Sequence, residues 1–261
     1  MIAYSVSDKI ATITLDRPEK RNAFNAEFVA RLREAVERAA EDTEVKVVLL
    51  RANGDAFSAG ADLGYLQSLQ QYSYEENLAD SSVLAELYHR IYTHPKVFIA
   101  LVQGHAIAGG CGLATVCDFA FAVPKAVFGY TEVKIGFIPA IVSVFLVRKI
   151  GEAKARELLL TGKLVSAQTA KEYGLVNRVL EWELLEIEAL SLANDLVRNT
   201  SGESLRLTKQ LLARVPELGT EEAFRFAAEQ NAQARMTADC QRGISAFLRK
   251  ETLDWGDGAG V

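Results

Sequence analysis

Three short stretches of this 261-residue chain carry the residue types that acyl or acid–base chemistry needs. Gln103 to Ala114 includes four glycines in the nine residues from Gly104 to Gly112, after an apolar strand-like run and ahead of a helix-like one. Glycine lets a ligand approach the backbone, and the unpaired N–H groups of a helix's first turn favour an anion or a developing oxyanion. The same glycines would also suit close strand–helix packing, and this segment alone does not choose. Ala56-Phe57-Ser58-Ala59-Gly60-Ala61-Asp62 is a second small-residue turn between a strand and a helix. Two such turns aimed at one oxygen would form an oxyanion hole. The third stretch, Phe128 to Pro139, sets Glu132 among mostly apolar residues, where partial burial raises a carboxyl's pKa towards that of a useful base. A loop glutamate is usually solvated, so composition does not by itself nominate it.

Other chemistries lack their residues. Gly-Lys-Ser/Thr is absent, the glycine spacing does not fit a dinucleotide fingerprint, and Ser58 lies in no G-x-S-x-G elbow. The three histidines (His89, His94, His105) and three cysteines (Cys111, Cys117, Cys240) have no zinc-ligand spacing, so no metal is expected. A net charge of −5 argues against a nucleic-acid partner. The first residues lack a secretion signal, and no apolar run approaches the ~20 residues of a membrane span. With an odd number of cysteines, the chain reads as cytoplasmic and not membrane-bound.

The elements that must position these stretches alternate in type. Ile10–Asp16 alternates like a strand and stops at Arg17-Pro18. Asn25 caps a predicted helix with the apolar face Phe28, Val29, Leu32, Ala35, Val36 and Ala39. Val45–Leu50 reads as a strand, and Val97–Val102 as one buried on both faces. Leu66–Asp80, polar and weakly periodic, reads as a mobile cover ahead of a helix over Ser81–Tyr92. Leu113–Val116 continues as helix, and Phe119–Val123 and Val127–Tyr130 read as short strands. Helix signals dominate from Ala153 to about Asn199, with a strand at Leu175–Val179. The expectation is an α/β core over residues 1–200. Glu203–Val215, Glu221–Arg235 and Ala238–Lys250 then predict an all-helical region over 201–261, hinged at Ser201-Gly202 and ending in a frayed Gly256–Val261 tail.

Taken together, Leu15-Asp16-Arg17-Pro18 with Asn22-Ala23, Phe57 to Leu63, Gly104 to Asp118, Phe128 to Pro139 and Gly243 to Lys250 resemble the crotonase (enoyl-CoA hydratase/isomerase) superfamily in order and spacing. The resemblance covers nearly the whole chain and is specific as a combination. It implies a spiral of strand-strand-helix units, a helical C-terminal region that assembles homotrimers or hexamers, and an acyl-CoA thioester as substrate. Coenzyme A then belongs to the substrate, and no separate cofactor is implied. By position, the N–H groups of Ala61 and Gly109 would form the oxyanion hole and Glu132 would act as acid/base. Ala59 would face the adenine, Lys20 and Arg21 would line the approach for CoA, and Lys250 would reach CoA phosphates from a neighbouring subunit. Ala23, Asp62, Leu63, Ile107, Gly110 and Pro139 complete the binding residues that the resemblance implies.

One departure bears on the reaction. Hydratases of this family usually carry two glutamates around one water; the second matches Glu132, but the first falls on Gly112. The family's one-glutamate isomerases resemble this arrangement better, although the sequence overall looks like enoyl-CoA or methylglutaconyl-CoA hydratases. Glu75, Glu76, Asp80 or Tyr130 are candidates to replace the missing carboxyl, and Gly112→Glu is expected to raise hydration if the side chain fits. Ala140-Ile141-Val142 replaces a glycine-rich stretch and predicts a reshaped, apolar acyl pocket. The alternative reading is a non-catalytic subunit of the same fold that binds acyl-CoA.

Overall fold

A computed structural model of the protein describes residues 1–256. Of the tail expected to fray, only Gly256 lies within the described residues. The chain opens with a hairpin, β1 (Ile2–Ser7) and β2 (Ile10–Leu15), turned at Asp8 and Lys9, both at positive φ. Helix α1 (Ala26–Glu41) starts where the Asn25 side chain accepts the Phe28 N–H at 2.9 Å, and it buries the six predicted apolar residues. Then come β3 (Val47–Ala52), β4 (Ala56–Ser58), α2 (Leu63–Leu69) and α3 (Tyr74–Tyr92). They are followed by β5 (Val97–Val102), β6 (His105–Ile107), α4 (Gly109–Val116), β7 (Phe119–Ala122), β8 (Val127–Gly129) and α5 (Ala140–Ile150). The core closes with α6 (Glu152–Thr161), β9 (Val165–Ser166), α7 (Ala167–Tyr173), β10 (Arg178–Val179) and α8 (Trp182–Asn199). Three helices end the described chain: α9 (Gly202–Arg214), α10 (Thr220–Arg235) and α11 (Ala238–Arg249).

The strands form two sheets. One runs β1-β2-β3-β5-β7-β10 and is parallel from β2 onward; the other runs β4-β6-β8-β9. Each turn of the chain gives one strand to the large sheet and the next to the small one, then a helical stretch, as in β3-β4-α2-α3 and β5-β6-α4. This α/β arrangement is the expected spiral. All six residues of β5 are buried, because the central strand of a parallel sheet has no solvent face.

Several expectations are corrected. The stretch Leu66–Asp80 is largely helical: α2 ends at Leu69, and a capping box between Ser73 and Glu76 starts α3 seven residues before Ser81. Its helical turns bury no residue before Leu87, so no apolar stripe marks them. The strand predicted over Leu175–Val179 is only Arg178–Val179. Ser201 is no free hinge: it is buried, accepts the Ser204 N–H at 3.0 Å and bonds Asp239 of α11.

Helix α9 docks on the core through Lys209. Its Nζ lies 2.6 Å from Asp118 Oδ2 and 3.0 Å from the Lys96 carbonyl, while Asp118 also accepts the Phe98 N–H. Helices α10 and α11 bury only Ala246 and leave Phe224, Phe247 and Leu248, together with Met236 between the two helices, at least 74% exposed. Among the described residues no helix is long and apolar enough to cross a membrane.

Candidate active site

Register brings the three stretches to one place. Strands β4, β6 and β8 are adjacent and parallel, with Ala56 opposite His105, Ala106 opposite Phe128 and Ile107 opposite Gly129. The residues that follow each strand therefore emerge at the same sheet edge: Ala59–Asp62, Ala108–Gly112 and Tyr130–Glu132. With strands ~4.8 Å apart, the outer two of the three segments start roughly 10 Å from one another.

Backbone amides face that edge from two turns. Phe24 and Ala61 form an isolated parallel bridge in which Phe24 N–H donates to the Gly60 carbonyl at 2.7 Å and Asp62 N–H donates to the Phe24 carbonyl at 2.8 Å. The Ala61 amide points the other way and donates to nothing among the described residues. Gly60, at φ 86°, permits this reversal; a Cβ there would lie 3.0 Å from the Ala108 Cβ and 3.7 Å from the Gly109 nitrogen, so the two turns touch. Gly109 is the first residue of α4, and its amide likewise has no acceptor among the described residues. Ahead of it Ala108 is held at φ 50°, ψ −122°, a conformation that costs an alanine on the order of 1–3 kcal/mol. Its N–H is clamped to the Gly129 carbonyl at 2.8 Å, tying this turn to the strand that leads to Glu132.

Glu132 opens a short 3-10 turn, Glu132–Ile135. Its side chain is half-buried, and Oε2 is fully buried with no hydrogen-bond partner among the described residues. Burial raises its carboxyl above the ordinary glutamate range. The arrangement can hold one oxygen between two amides and move a proton on a carbon beside it.

Position 112 has no room for the missing carboxyl. A Cβ on Gly112 would lie 2.3 Å from Val142 Cγ1, 2.9 Å from Tyr88 Cε2 and 3.2 Å from the Tyr88 oxygen. The candidate replacements fare unequally. Tyr130 is wholly buried with its hydroxyl 2.6 Å from Thr115 Oγ1, Glu76 closes the α3 capping box, and Glu75 is exposed beside it. Asp80 accepts the Tyr65 hydroxyl, and burial raises its carboxyl.

The other predicted residues scatter around this edge. Ala23 is buried next to Phe24, and Ala59 N–H donates to the Arg21 carbonyl at 3.0 Å, so Lys20 and Arg21 lie against the Ala59 turn. Asp62 holds local structure together, capping α2 through the Gly64 and Tyr65 N–H groups and pairing with Arg17 at 3.1 Å. Leu63 is 84% exposed at the start of α2, Ile107 ends β6, Gly110 is buried in the first turn of α4, and Pro139 precedes α5. Lys250 ends α11, which packs chiefly on α9 and α10, so this chain does not bring it to the edge where Glu132 lies. Sequence reasoning quoted Asn22 and Arg17 as motif residues without a role: Asn22 is buried with its amide on the Asn53 and Ala56 carbonyls, and Arg17 also donates to the Ala23 carbonyl. It missed Tyr88, which no local pattern sets apart from core residues, and singled out Val142 only as part of the apolar run Ala140-Ile141-Val142.

The sequence profile of the enoyl-CoA hydratase/isomerase family matches residues 5–258. A relative from Thermus thermophilus, whose name is that of an enoyl-CoA hydratase, is 46% identical over 241 residues, 92% of this chain and 95% of that protein. The 2,3-dehydroadipyl-CoA hydratase of Escherichia coli is 33% identical, with 96% of each chain covered. Among solved structures, an enoyl-CoA hydratase of Mycobacterium smegmatis superposes with a TM-score of 0.91 at 33% identity, covering 97% of this chain and 98% of that one. That of Shewanella pealeana gives 0.92 at 31% identity, covering 97% and 95%. A spiral of parallel strands, two amide-bearing turns and a glutamate at one sheet edge thus occur in a chain that belongs to the enoyl-CoA hydratase/isomerase family.

Proposed function

We propose that this protein is an acyl-CoA enzyme that moves a proton on an enoyl thioester with Glu132 as its single carboxylate base. The observation that carries the reading is the Glu132 carboxyl, with one oxygen buried and, among the described residues, unpartnered at the edge where the Ala61 and Gly109 amides are also unpaired. The thioester oxygen would sit between those amides. Glu132 would take a proton from Cα of a β,γ-enoyl thioester, the C–H electrons passing into a dienolate whose charge rests on that oxygen. The same carboxyl would then return the proton at Cγ, leaving the α,β-double bond. Each amide in such a hole contributes roughly 3–4 kcal/mol to lowering the barrier. Hydration would be slow, because Val142 and Tyr88 fill the place of a second carboxyl. A binding-only subunit would have no use for a carboxyl left buried without a partner, which favours the enzyme.

The acyl chain would lie against the exposed apolar side chains Ile135, Phe137 and Ile138 that follow Glu132. Lys20 and Arg21 would flank the CoA, and Lys250 would serve a neighbouring subunit of a homotrimer or hexamer built on 201–261. A cytoplasmic setting fits the three free cysteines.

The test is Glu132→Gln, with thioester affinity from calorimetry and turnover on α,β- and β,γ-unsaturated substrates side by side. Affinity should stay within a few-fold, while double-bond shift and Cα deuterium exchange fall at least ~100-fold. A wild type that hydrates fast and never isomerises, or a variant at full rate, would overturn the reading.

A further inference from the structure

Tyr88 has a connection that core packing alone does not require. Its side chain is wholly buried on α3, yet its hydroxyl donates to the Gly109 carbonyl in the first turn of α4. The same oxygen lies 3.3 Å from where a Gly109 Cβ would stand and 3.2 Å from where a Gly112 Cβ would stand. Tyr88 thus touches the one turn whose leading amide is unpaired and whose preceding residue is held in a strained conformation. Strain of that kind persists only where neighbours over-determine it. Two clamps do so here: the Gly129 carbonyl holds the Ala108 N–H, and the Tyr88 hydroxyl holds the Gly109 carbonyl two peptides further on, with the Gly109 N–H in the peptide between them. Burial and the nearby Glu132 charge keep the phenol well above its ordinary range, so it remains a donor.

We infer that Tyr88 is a positioning residue for this site: its hydroxyl fixes the 109–110 peptide, next to the 108–109 peptide that carries the Gly109 N–H, so that this amide faces the thioester oxygen. The inference rests on the reading of the Ala61 and Gly109 amides as carbonyl donors. The hydroxyl itself takes no proton from the substrate. Its part is to prevent the turn from relaxing, since a misplacement of about 1 Å at such a site can cost up to 100-fold in rate.

The experiment uses Tyr88→Phe, which keeps the ring and removes the donor, and a push–pull thioester, 4-(dimethylamino)cinnamoyl-CoA. The absorption of that probe shifts to the red in proportion to the polarisation of its carbonyl by hydrogen-bond donors. In Tyr88→Phe the probe should bind within about threefold of wild type, with a smaller red shift and kcat lower by roughly 10- to 100-fold. Tyr173→Phe is the control, because that hydroxyl also donates a hydrogen bond, to Glu157 at 2.7 Å, but ties α7 to α6 and not to the α4 turn. It should keep the full red shift. Should Tyr88→Phe fail to fold, 3-fluorotyrosine placed at 88 retains ring and hydroxyl with a stronger donor, and should equal or exceed the wild-type shift. A full shift in Tyr88→Phe, an equal loss in Tyr173→Phe, or a diminished shift with 3-fluorotyrosine would each overturn the role of Tyr88 alone. A wild type that binds the probe without any shift would overturn the underlying reading of the two amides, and the role of Tyr88 with it.

Discussion

A carboxyl with one oxygen out of water and without a donor is easier to protonate in the folded chain than in the unfolded one, and Glu132 is such a group. Two consequences follow at the scale of this residue. A base must be ionised to act, so kcat/KM should fall on the acid side through a pKa above the ~4.3 of an ordinary glutamate. The linkage sign follows from the same shift: a folded pKa above the unfolded one means the folded state binds the proton better, so this residue's destabilising charge is relieved as pH falls. Glu132→Gln should therefore match or exceed wild type in thermal midpoint at pH 8, and the difference should close towards pH 5. A variant clearly less stable at pH 8 would mean the charged carboxylate has a partner. At Gly112, the neighbours reverse the expectation that a carboxyl there raises hydration. With Val142 Cγ1 2.3 Å from the site of a Cβ, even Gly112→Ala should cost about 1–3 kcal/mol through overpacking, read from denaturant midpoints. Gly112→Glu should be worse; a folded Gly112→Glu enzyme that hydrates faster than wild type would contradict this.

Elements here are held by a few polar contacts at their ends. Asn25 starts α1, Asp62 starts α2, and Ser73 with Glu76 starts α3, each giving a side-chain acceptor to the amides of the first turn. Of these, Asn25 is visible in the sequence because a strong apolar stripe follows it; Ser73 precedes helical turns with no buried residue until Leu87, so its capping signal has no stripe beside it. The most consequential contact between elements is Lys209 of α9 with Asp118, at the junction where β5 and β7 begin. Lys209 is 7% exposed, so removing it leaves a carboxylate with only the Phe98 amide. Lys209→Met should lower stability by about 2 kcal/mol while leaving KM unchanged, since the pair is remote from the edge where β4, β6 and β8 end. An unaltered denaturation midpoint would show that the pair contributes nothing net.

On the scale of the whole molecule, α10 and α11 present a surface that a lone chain has no reason to keep. Phe247 is 82% exposed, Met236 81%, and Leu248 and Phe224 74%. Exposed apolar side chains on these helices fit a contact with another protein, and we propose assembly into a trimer or a pair of trimers. Light scattering on the eluting protein should give three or six times the chain mass, and Phe247→Asp should reduce it. A wild-type monomer at micromolar concentration would defeat the assignment. Deleting everything after Ser201 is a poorer test than sequence alone suggests: it also strips α9 and Lys209 from the core, so insolubility would follow either way.

Sequence alone determined what depends on near neighbours in the chain. The α1 face, the doubly buried β5 and the two glycine-containing turns were legible because a 3.6-residue period, a continuous apolar run and a missing side chain are local properties. Order and spacing of the motifs were specific enough to indicate the family, and with it Glu132. Tertiary structure alone decided which side chains fill the space beside Gly112, because Tyr88 comes from α3, 24 residues upstream, and Val142 from α5, 30 residues downstream. It also decided that the Ala61 and Gly109 amides and Glu132 share an edge, a fact that resides in the parallel register of β4, β6 and β8. Such register is set by long-range pairing, and no single stretch of the chain encodes it.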